Sequence, residues 1–160
     1  MSTQVSRLED QLRRAFAGEA WHGPSVLEAL EGVTAEQASA HPIEGAHSIF
    51  EIVLHLGGTY RLVLRRLNGD GAQLTPTEDW PPVASSSPAS WLEAVGALTQ
   101  LHADLLDAVA HFAEGRLDEP LVPESPYTAF TQFIGVTQHN LYHAGQIALL
   151  KRALASGHGA

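Results

Sequence analysis

The sequence has no cysteine among its 160 residues. This absence excludes disulfide bonds, cysteine-based zinc sites and any catalytic thiol that the protein itself could supply. Basic residues are also few: nine Lys and Arg stand against eighteen Asp and Glu, and the formal net charge is −9 at pH 7. No basic stripe forms beyond the short cluster of Arg61, Arg65 and Arg66. Nucleic acid is therefore an unfavourable partner for this surface.

Two further absences concern membranes and secretion. The sequence has no uninterrupted apolar run of the length that a membrane-spanning helix needs. Its opening stretch, MSTQVSRLEDQLRRAF, is too polar for a secretory signal peptide. We therefore expect a soluble, cytoplasmic protein with no membrane partner. Apolar residues make up 44% of the chain, and its length suits one compact domain over residues 1–160 with a sizeable core.

Apolar residues recur at helical spacing along most of the chain. The first helix is predicted from about Val5 to Ala17. Gly23-Pro24 interrupts the following stretch, and we expect Pro24 in the first turn of a restarted helix. The residues from Thr34 to Gln37 have the capping-box pattern, which predicts the start of a very short helix.

A second capping box, Ser48 to Glu51, predicts the beginning of a long helix that runs to Leu67. Residues 69–88 are rich in Pro, Gly and Ser and are predicted to be loop. Ser87-Pro88 begins the next helix, which we expect to end near Glu114, and the last helix is predicted from about Thr128 to Ala155. Four principal helices, two long connections and no convincing strand predict an all-α four-helix bundle.

Histidine is abundant, with nine residues, and two of them stand four apart in the stretch QHNLYHAGQ. On a helix, His139 and His143 are neighbours, with Cβ atoms roughly 5–6 Å apart. Both imidazoles can therefore reach one ion, since Zn–N bonds measure about 2.0–2.1 Å. Zinc proteases with the HExxH motif use the same spacing, but Asn140 stands where that motif has its catalytic Glu. The protease reading is therefore rejected.

A third ligand has to come from another helix, and His55 is the best candidate. It shares its stripe with Ile52 and Leu62, so it faces the bundle interior. The adjacent Gly57-Gly58 indicates close helix approach or space beside a site, because glycine costs a helix interior roughly 0.5–1 kcal/mol against Ala. Three imidazoles leave coordination positions open for water or substrate, as in catalytic sites. The alternative is three core histidines with no ligand role, because HxxxH pairs are common by chance.

Several other residues are weaker candidates. His102 and His111 lie on the third long helix and are expected to be partly exposed. Glu51 lies one turn before His55; it can receive an imidazole N–H, but we favour the capping role. Gln146 and Asn140 are candidates for hydrogen bonds to the ligands.

The three tryptophans and the arginine cluster have alternative interpretations. Trp21, Trp80 and Trp91 are interpreted as core or loop anchors rather than as groups that stack on a substrate. The cluster of Arg61, Arg65 and Arg66 can bind an acidic substrate, but a solvated face is favoured.

The ordered set of these motifs resembles the DinB-like superfamily of four-helix-bundle metalloproteins, which also contains YfiT-like proteins and thiol-dependent transferases. The resemblance spans nearly the whole chain. The stretches that carry it are AWHGPSVLEALEGVTAEQA (20–38), GAHSIFEIVLHLGGTYRLVLRRLNG (45–69), Trp80-Pro81-Pro82, Ser90-Trp91 and GVTQHNLYHAGQIALLKR (135–152).

The resemblance implies a metal held by three histidines, one from the second helix and two from the last. By position these are His55, His139 and His143. It also implies Ni or Zn as the usual metal and frequently a homodimer. Imidazole ligands suit Zn, Cu, Fe and Ni alike, so the residues themselves do not choose the metal.

Three functions follow as alternatives. A thiol-dependent transferase would join a low-molecular-weight thiol, such as bacillithiol or mycothiol, to a small-molecule substrate, with the metal lowering the thiol pKa. A metal-dependent hydrolase would activate water, but the sequence identifies no general base. A module without enzymatic activity would bind metal or a small ligand, for example in a stress response. The transferase is favoured.

Overall fold

The structure is a computed structural model that describes residues 3–123 and 125–156. Within these ranges the chain forms α-helices and one short 3-10 helix, Glu114–Arg116. The α-helices are α1 (Gln4–Ala17), α2 (Val26–Leu30), α3 (Ala35–Ser39), α4 (Ile49–Leu67), α5 (Pro76–Asp79), α6 (Pro88–Ala110) and α7 (Ala129–Ser156). The described residues contain no strand, and an isolated bridge joins Pro120 to Thr128.

The four long helices α1, α4, α6 and α7 form the bundle. Helix α1 packs on α6 and α7, and α4 packs on the same two helices, so each long helix has two long neighbours. Their inward faces bury large side chains that form one core: Leu12, Phe16, Leu56, Tyr60, Leu98, Leu105, Phe133 and Ile147. The predicted all-α four-helix bundle with long connections is confirmed.

The predicted helix starts rest on side-chain caps that the structure contains. Ser48 Oγ accepts the Glu51 main-chain N–H at 3.2 Å, and the Glu51 carboxylate accepts the Ser48 N–H at 2.7 Å. Thr34 and Gln37 form the same reciprocal pair before α3, and Ser87 caps α6. Each cap satisfies main-chain donors that the first helical turn leaves free.

Three predicted boundaries are wrong. The segment 69–88 is not all loop, because Thr75 and Glu78 form a capping box that starts α5. Pro24 is not in a first turn; it precedes Ser25, which is the N-cap of α2. Helix α6 ends at Ala110 rather than near Glu114, with His111 as its C-cap, and a separate 3-10 helix follows at Glu114–Arg116.

His102 was expected to be partly exposed, but it is buried with 6% of its surface exposed. Its ring stacks on Phe16 with centroids 4.0 Å apart. The Tyr60 hydroxyl donates to His102 Nδ1 at 3.0 Å and accepts from Asn140 Nδ2 at 2.7 Å. Leu98, His102 and Leu105 share one helical stripe, so the spacing already placed this histidine on the buried face.

Two other expectations are corrected by exposure. Trp21 is 94% exposed and anchors neither core nor loop, whereas Trp91 is buried and its indole N–H donates to the Val33 carbonyl at 3.0 Å. The arginine cluster is not a uniform solvated face, because Arg66 is buried and donates to Gln132 Oε1. Arg65 pairs with Glu78 of α5 at 3.0 Å.

Across residues 3–123 and 125–156, no helix combines the length and the apolar character that crossing a bilayer requires.

Burial lowers the pKa of His102 to about 4, which predicts acid sensitivity of the bundle. Below about pH 6.5 the unfolded chain binds a proton at this residue and the folded chain does not. The contribution of His102 to the free energy of unfolding is therefore fully present above about pH 6.5 and is lost as the pH falls toward about 4. The slope from this one group is at most about 1.4 kcal/mol per pH unit.

Urea unfolding at several pH values should show a shallower slope for His102→Asn. The same change at exposed His111 should leave the slope unaltered; equal slopes for the parent and His102→Asn would contradict the assignment.

Candidate metal centre

Helices α4 and α7 bring three histidines together. His55 Nε2 lies 2.9 Å from His139 Nε2, and His143 Nε2 lies 3.1 Å from the same atom. One nitrogen of each residue lies within 4.8 Å of the other two, so the trio can hold a metal ion. The predicted juxtaposition across two helices is present, while the ligand role itself stays a prediction.

The proton positions on two of the three rings follow from their partners. His55 Nδ1–H donates to the Asp79 main-chain oxygen at 2.8 Å, with the Asp79 carboxylate 3.1 Å away. His143 Nδ1–H donates to Gln146 Oε1 at 2.6 Å. In a neutral imidazole the other nitrogen then carries a lone pair. The Nε2 atoms of both rings are therefore acceptors directed at His139 Nε2, which has at most one hydrogen to offer.

The environment also keeps the rings of His139 and His143 neutral. Burial, and after it the positive charges that His143 and His55 would carry, lowers the pKa of His139 to about 3. Burial, followed by the His55 charge, lowers the pKa of His143 to about 4. Both imidazoles are thus in their metal-binding form at neutral pH, and no proton has to leave before an ion binds.

The hydrogen-bond partners of the trio were predicted in part. Gln146 binds His143 as expected of a ligand partner, and Glu51 closes its cap as favoured. Asn140 instead donates to Tyr60. Asp79 was missed, because its pairing with His55 depends on how α5 folds back on α4. His139 Nδ1 is buried and has no hydrogen-bond partner among the described residues.

The indole of Trp80 lies between two histidine rings. It stacks on His55 with centroids 3.9 Å apart and an interplanar angle of 1°, and on His47 at 3.6 Å and 11°. Two parallel rings this close to one indole lie on its opposite faces, since both cannot occupy one face. Trp80 therefore anchors its loop, as expected, and it does so by covering one face of His55.

Gly58 allows α5 to reach this position. A Cβ atom at Gly58 would lie 2.6 Å from the Glu78 main-chain oxygen, which is closer than atoms can approach. The expected close approach beside the site is thus found at Gly58, and its partner is α5. Because α5 ends at Asp79 and is followed by Trp80, this contact positions both neighbours of His55.

The comparison with protein families agrees with this architecture. The sequence profile of the DinB superfamily matches residues 20–147. The chain belongs to the DinB superfamily. The matched region contains the three histidines as well as Asp79, Trp80 and Gln146, and the resemblance read from the motifs is confirmed. The searches of curated proteins and of solved structures found no match.

Membership of the DinB superfamily places the chain in a fold family without determining its reaction. The family match and the three-histidine group are both compatible with metal binding. The chemical argument therefore depends on the donor atoms and on the space around them.

The contact between Gly58 and α5 predicts a sharp difference between two adjacent glycines. Gly58→Ala should destabilise the protein by about 1–3 kcal/mol, because the methyl group meets main-chain atoms that cannot rotate away. Gly57→Ala meets the Arg61 guanidinium, a flexible side-chain end, at 3.4 Å, and gains up to about 1 kcal/mol in helix propensity.

Urea unfolding followed by far-UV circular dichroism measures both variants. Tryptophan fluorescence should also change in Gly58→Ala, because Trp80 moves off His55. Equal stability of the two variants would show that α5 does not rest on the α4 backbone.

Proposed function

We propose that His55, His139 and His143 hold one divalent transition-metal ion, Zn or Ni. The proposal is supported by the count of hydrogen-bond donors and acceptors. The lone pairs of His55 Nε2 and His143 Nε2 both point at His139 Nε2, which can donate to at most one of them. Buried acceptors without donors are costly. A cation shared by the three imidazoles would remove this cost, and such ligands suit Zn and Ni.

The chain's own residues would fix the orientation of two of the ligand rings. Asp79 holds the Nδ1–H of His55 and Gln146 holds that of His143. Such partners keep a ligating imidazole in the correct tautomer, and their removal typically lowers metal affinity about 10–100-fold. Trp80 shields one face of His55 from water.

We further propose that the loaded site catalyses a thiol-dependent transfer to a small-molecule substrate. The sulfur of a low-molecular-weight thiol forms a bond to an electrophilic carbon, a leaving group departs, and the thiol proton passes to solvent. The ion supplies Lewis acidity, which lowers the thiol pKa. The protein has no cysteine, so the nucleophilic sulfur comes with the second molecule.

The engagement of nearby carboxylates favours transfer over hydrolysis. A hydrolase of this type needs a base to activate water. Asp79 is directed at His55, and the Glu51 carboxylate accepts from Ser48 and from His41. Both carboxylates thus already have polar partners, which makes either of them a poor base for water. A homodimer, which the family resemblance implies, is part of the same proposal.

The metal proposal predicts a stoichiometry. Untagged protein purified without chelators, or offered Zn or Ni afterwards, should contain about one ion per chain by elemental analysis. His55→Ala, His139→Ala and His143→Ala should each lose it, since two imidazoles leave too few ligands. His111→Ala, at an exposed histidine outside the trio, should retain it. Protein that takes up neither metal would return the three histidines to the role of core residues.

The transferase proposal predicts dependence on an added thiol. Loaded protein should convert an electrophile such as 1-chloro-2,4-dinitrobenzene to its thioether only in the presence of a small thiol, and the rate should exceed the uncatalysed reaction. His143→Ala should abolish the excess rate. Cleavage of 4-nitrophenyl acetate without any thiol would instead identify a hydrolase, and neither activity in fully loaded protein would identify a binding module.

A further inference from the structure

A cavity of about 410 Å³ lies next to the histidine trio, between α4, α7 and the segment before α4. Trp80 and Gln146 line it, and these are the side chains that stack on His55 and hold His143. Ile52 and Leu150 also line it, one turn before His55 on α4 and about two turns after His143 on α7. The cavity therefore shares its walls with the candidate metal centre.

The walls of this cavity are apolar and carry no fixed charge. Ile43, Ile52, Leu149 and Leu150 are among the lining residues, and none of the described lining residues is Lys, Arg, Asp or Glu. The lining also contains His47, whose Nδ1 lies 3.5 Å from the Glu51 carboxylate. A charged ligand group would lose its hydration there without a Lys, Arg, Asp or Glu side chain to compensate for the loss. An apolar group would gain from leaving water, and the volume lies in the range of about 300–1,000 Å³ typical of small-ligand sites.

One polar group at the rim is available to a ligand. The Tyr142 hydroxyl accepts a hydrogen bond from Gln146 Nε2 at 3.1 Å, so its own hydrogen can be donated. Tyr142 is 64% exposed, which places this donor at the entrance. The cavity thus combines apolar walls with a neutral donor, an arrangement that suits an uncharged molecule.

A hollow of about 670 Å³ shares Trp80 and His47 with this cavity but also contains Asp79, and two other hollows in the described part of the chain have different walls. One of about 650 Å³ is lined by Arg61, Arg65 and Glu78 and by none of the trio or its side-chain partners Trp80 and Gln146. Another of about 440 Å³ contains Arg66 and Gln132. Both carry charged groups, and neither shares Trp80 or Gln146 with the histidines.

We propose that the Trp80–Gln146 cavity binds a neutral, apolar or aromatic group of the electrophilic substrate. This inference rests on the proposed function and adds a substrate class to it. A neutral group is favoured over an anionic one because no Lys or Arg lines the cavity and the overall charge of the chain is negative.

Two aromatic probes of matched size test the proposal: neutral 4-nitrobenzyl alcohol and anionic 4-nitrobenzoate. Equilibrium dialysis against Zn-loaded protein should give a Kd at least about tenfold lower for the neutral probe. Leu149→Glu should weaken its binding about tenfold or more, because it brings a carboxylate to the wall. Leu92→Glu is the matched control, since Leu149 and Leu92 are both exposed leucines, at 54% and 71%, on different helices.

A second variant, Ala46→Leu, narrows the same cavity without adding charge and should also weaken the neutral probe. Protein loaded with cobalt(II) should broaden the proton resonances of the bound probe, because this paramagnetic ion relaxes nearby nuclei. Protein loaded with Zn, which is diamagnetic, should not. Equal affinity for both probes, equal effects of Leu149→Glu and Leu92→Glu, or binding without broadening would each overturn the inference.

Elemental analysis of the same samples separates the two proposals. Protein that takes up neither Zn nor Ni, yet binds the neutral probe with the expected dependence on Leu149, would contradict the metal proposal and the assignment of the cavity to a metal-site substrate. Metal-loaded protein with equal Kd values for the two probes would contradict the inference about the cavity and leave the metal proposal intact.

Discussion

Three imidazole nitrogens that face one another inside a helical bundle are the constraint on which this structure depends. Asp79 and Gln146 fix two of them as hydrogen-bond acceptors. The point where His55, His139 and His143 meet therefore has more acceptor lone pairs than N–H donors. An apolar bundle core does not ordinarily tolerate such an arrangement. The core here contains it because helices α4 and α7 pack directly on each other.

The rest of the site is built around this point by a short segment rather than by the bundle. Helix α5 has four residues, yet it supplies the carboxylate beside His55 and directly precedes the indole that covers it. Gly58 makes this possible, because the α5 main chain occupies the volume that a side chain would fill. The absence of a side chain at Gly58 thus allows α5 to pack on the α4 backbone, which places Asp79 and Trp80 beside His55.

Local patterns in the sequence predicted the bundle and the trio. The Ser48–Glu51 capping box fixed where α4 begins, and the spacing of His139 and His143 placed both on one face of α7. These features depend on residues three or four apart. The approach of His55 to His139 joins residues 84 apart, and was inferred from the inward face of each helix and from the family resemblance.

What could not be predicted depends on packing between distant segments. The Pro-rich composition of residues 69–88 predicted loop, although Thr75 and Glu78 form a capping box there. Asp79 contacts His55 only because α5 packs on Gly58. The hydrogen bond between Tyr60 and His102 crosses from α4 to α6. The burial that keeps His102 neutral could, by contrast, have been predicted, because Leu98 and Leu105 lie on the same helical stripe.

The small size of α5 has a kinetic consequence. None of its residues is buried, so its detachment exposes far less apolar surface than separation of α4 from α7. Segments with few buried contacts open locally at a small fraction of the global unfolding free energy. Local opening of α5 would therefore uncover the side of His55 that Asp79 and Trp80 contact, while the long helices stay assembled.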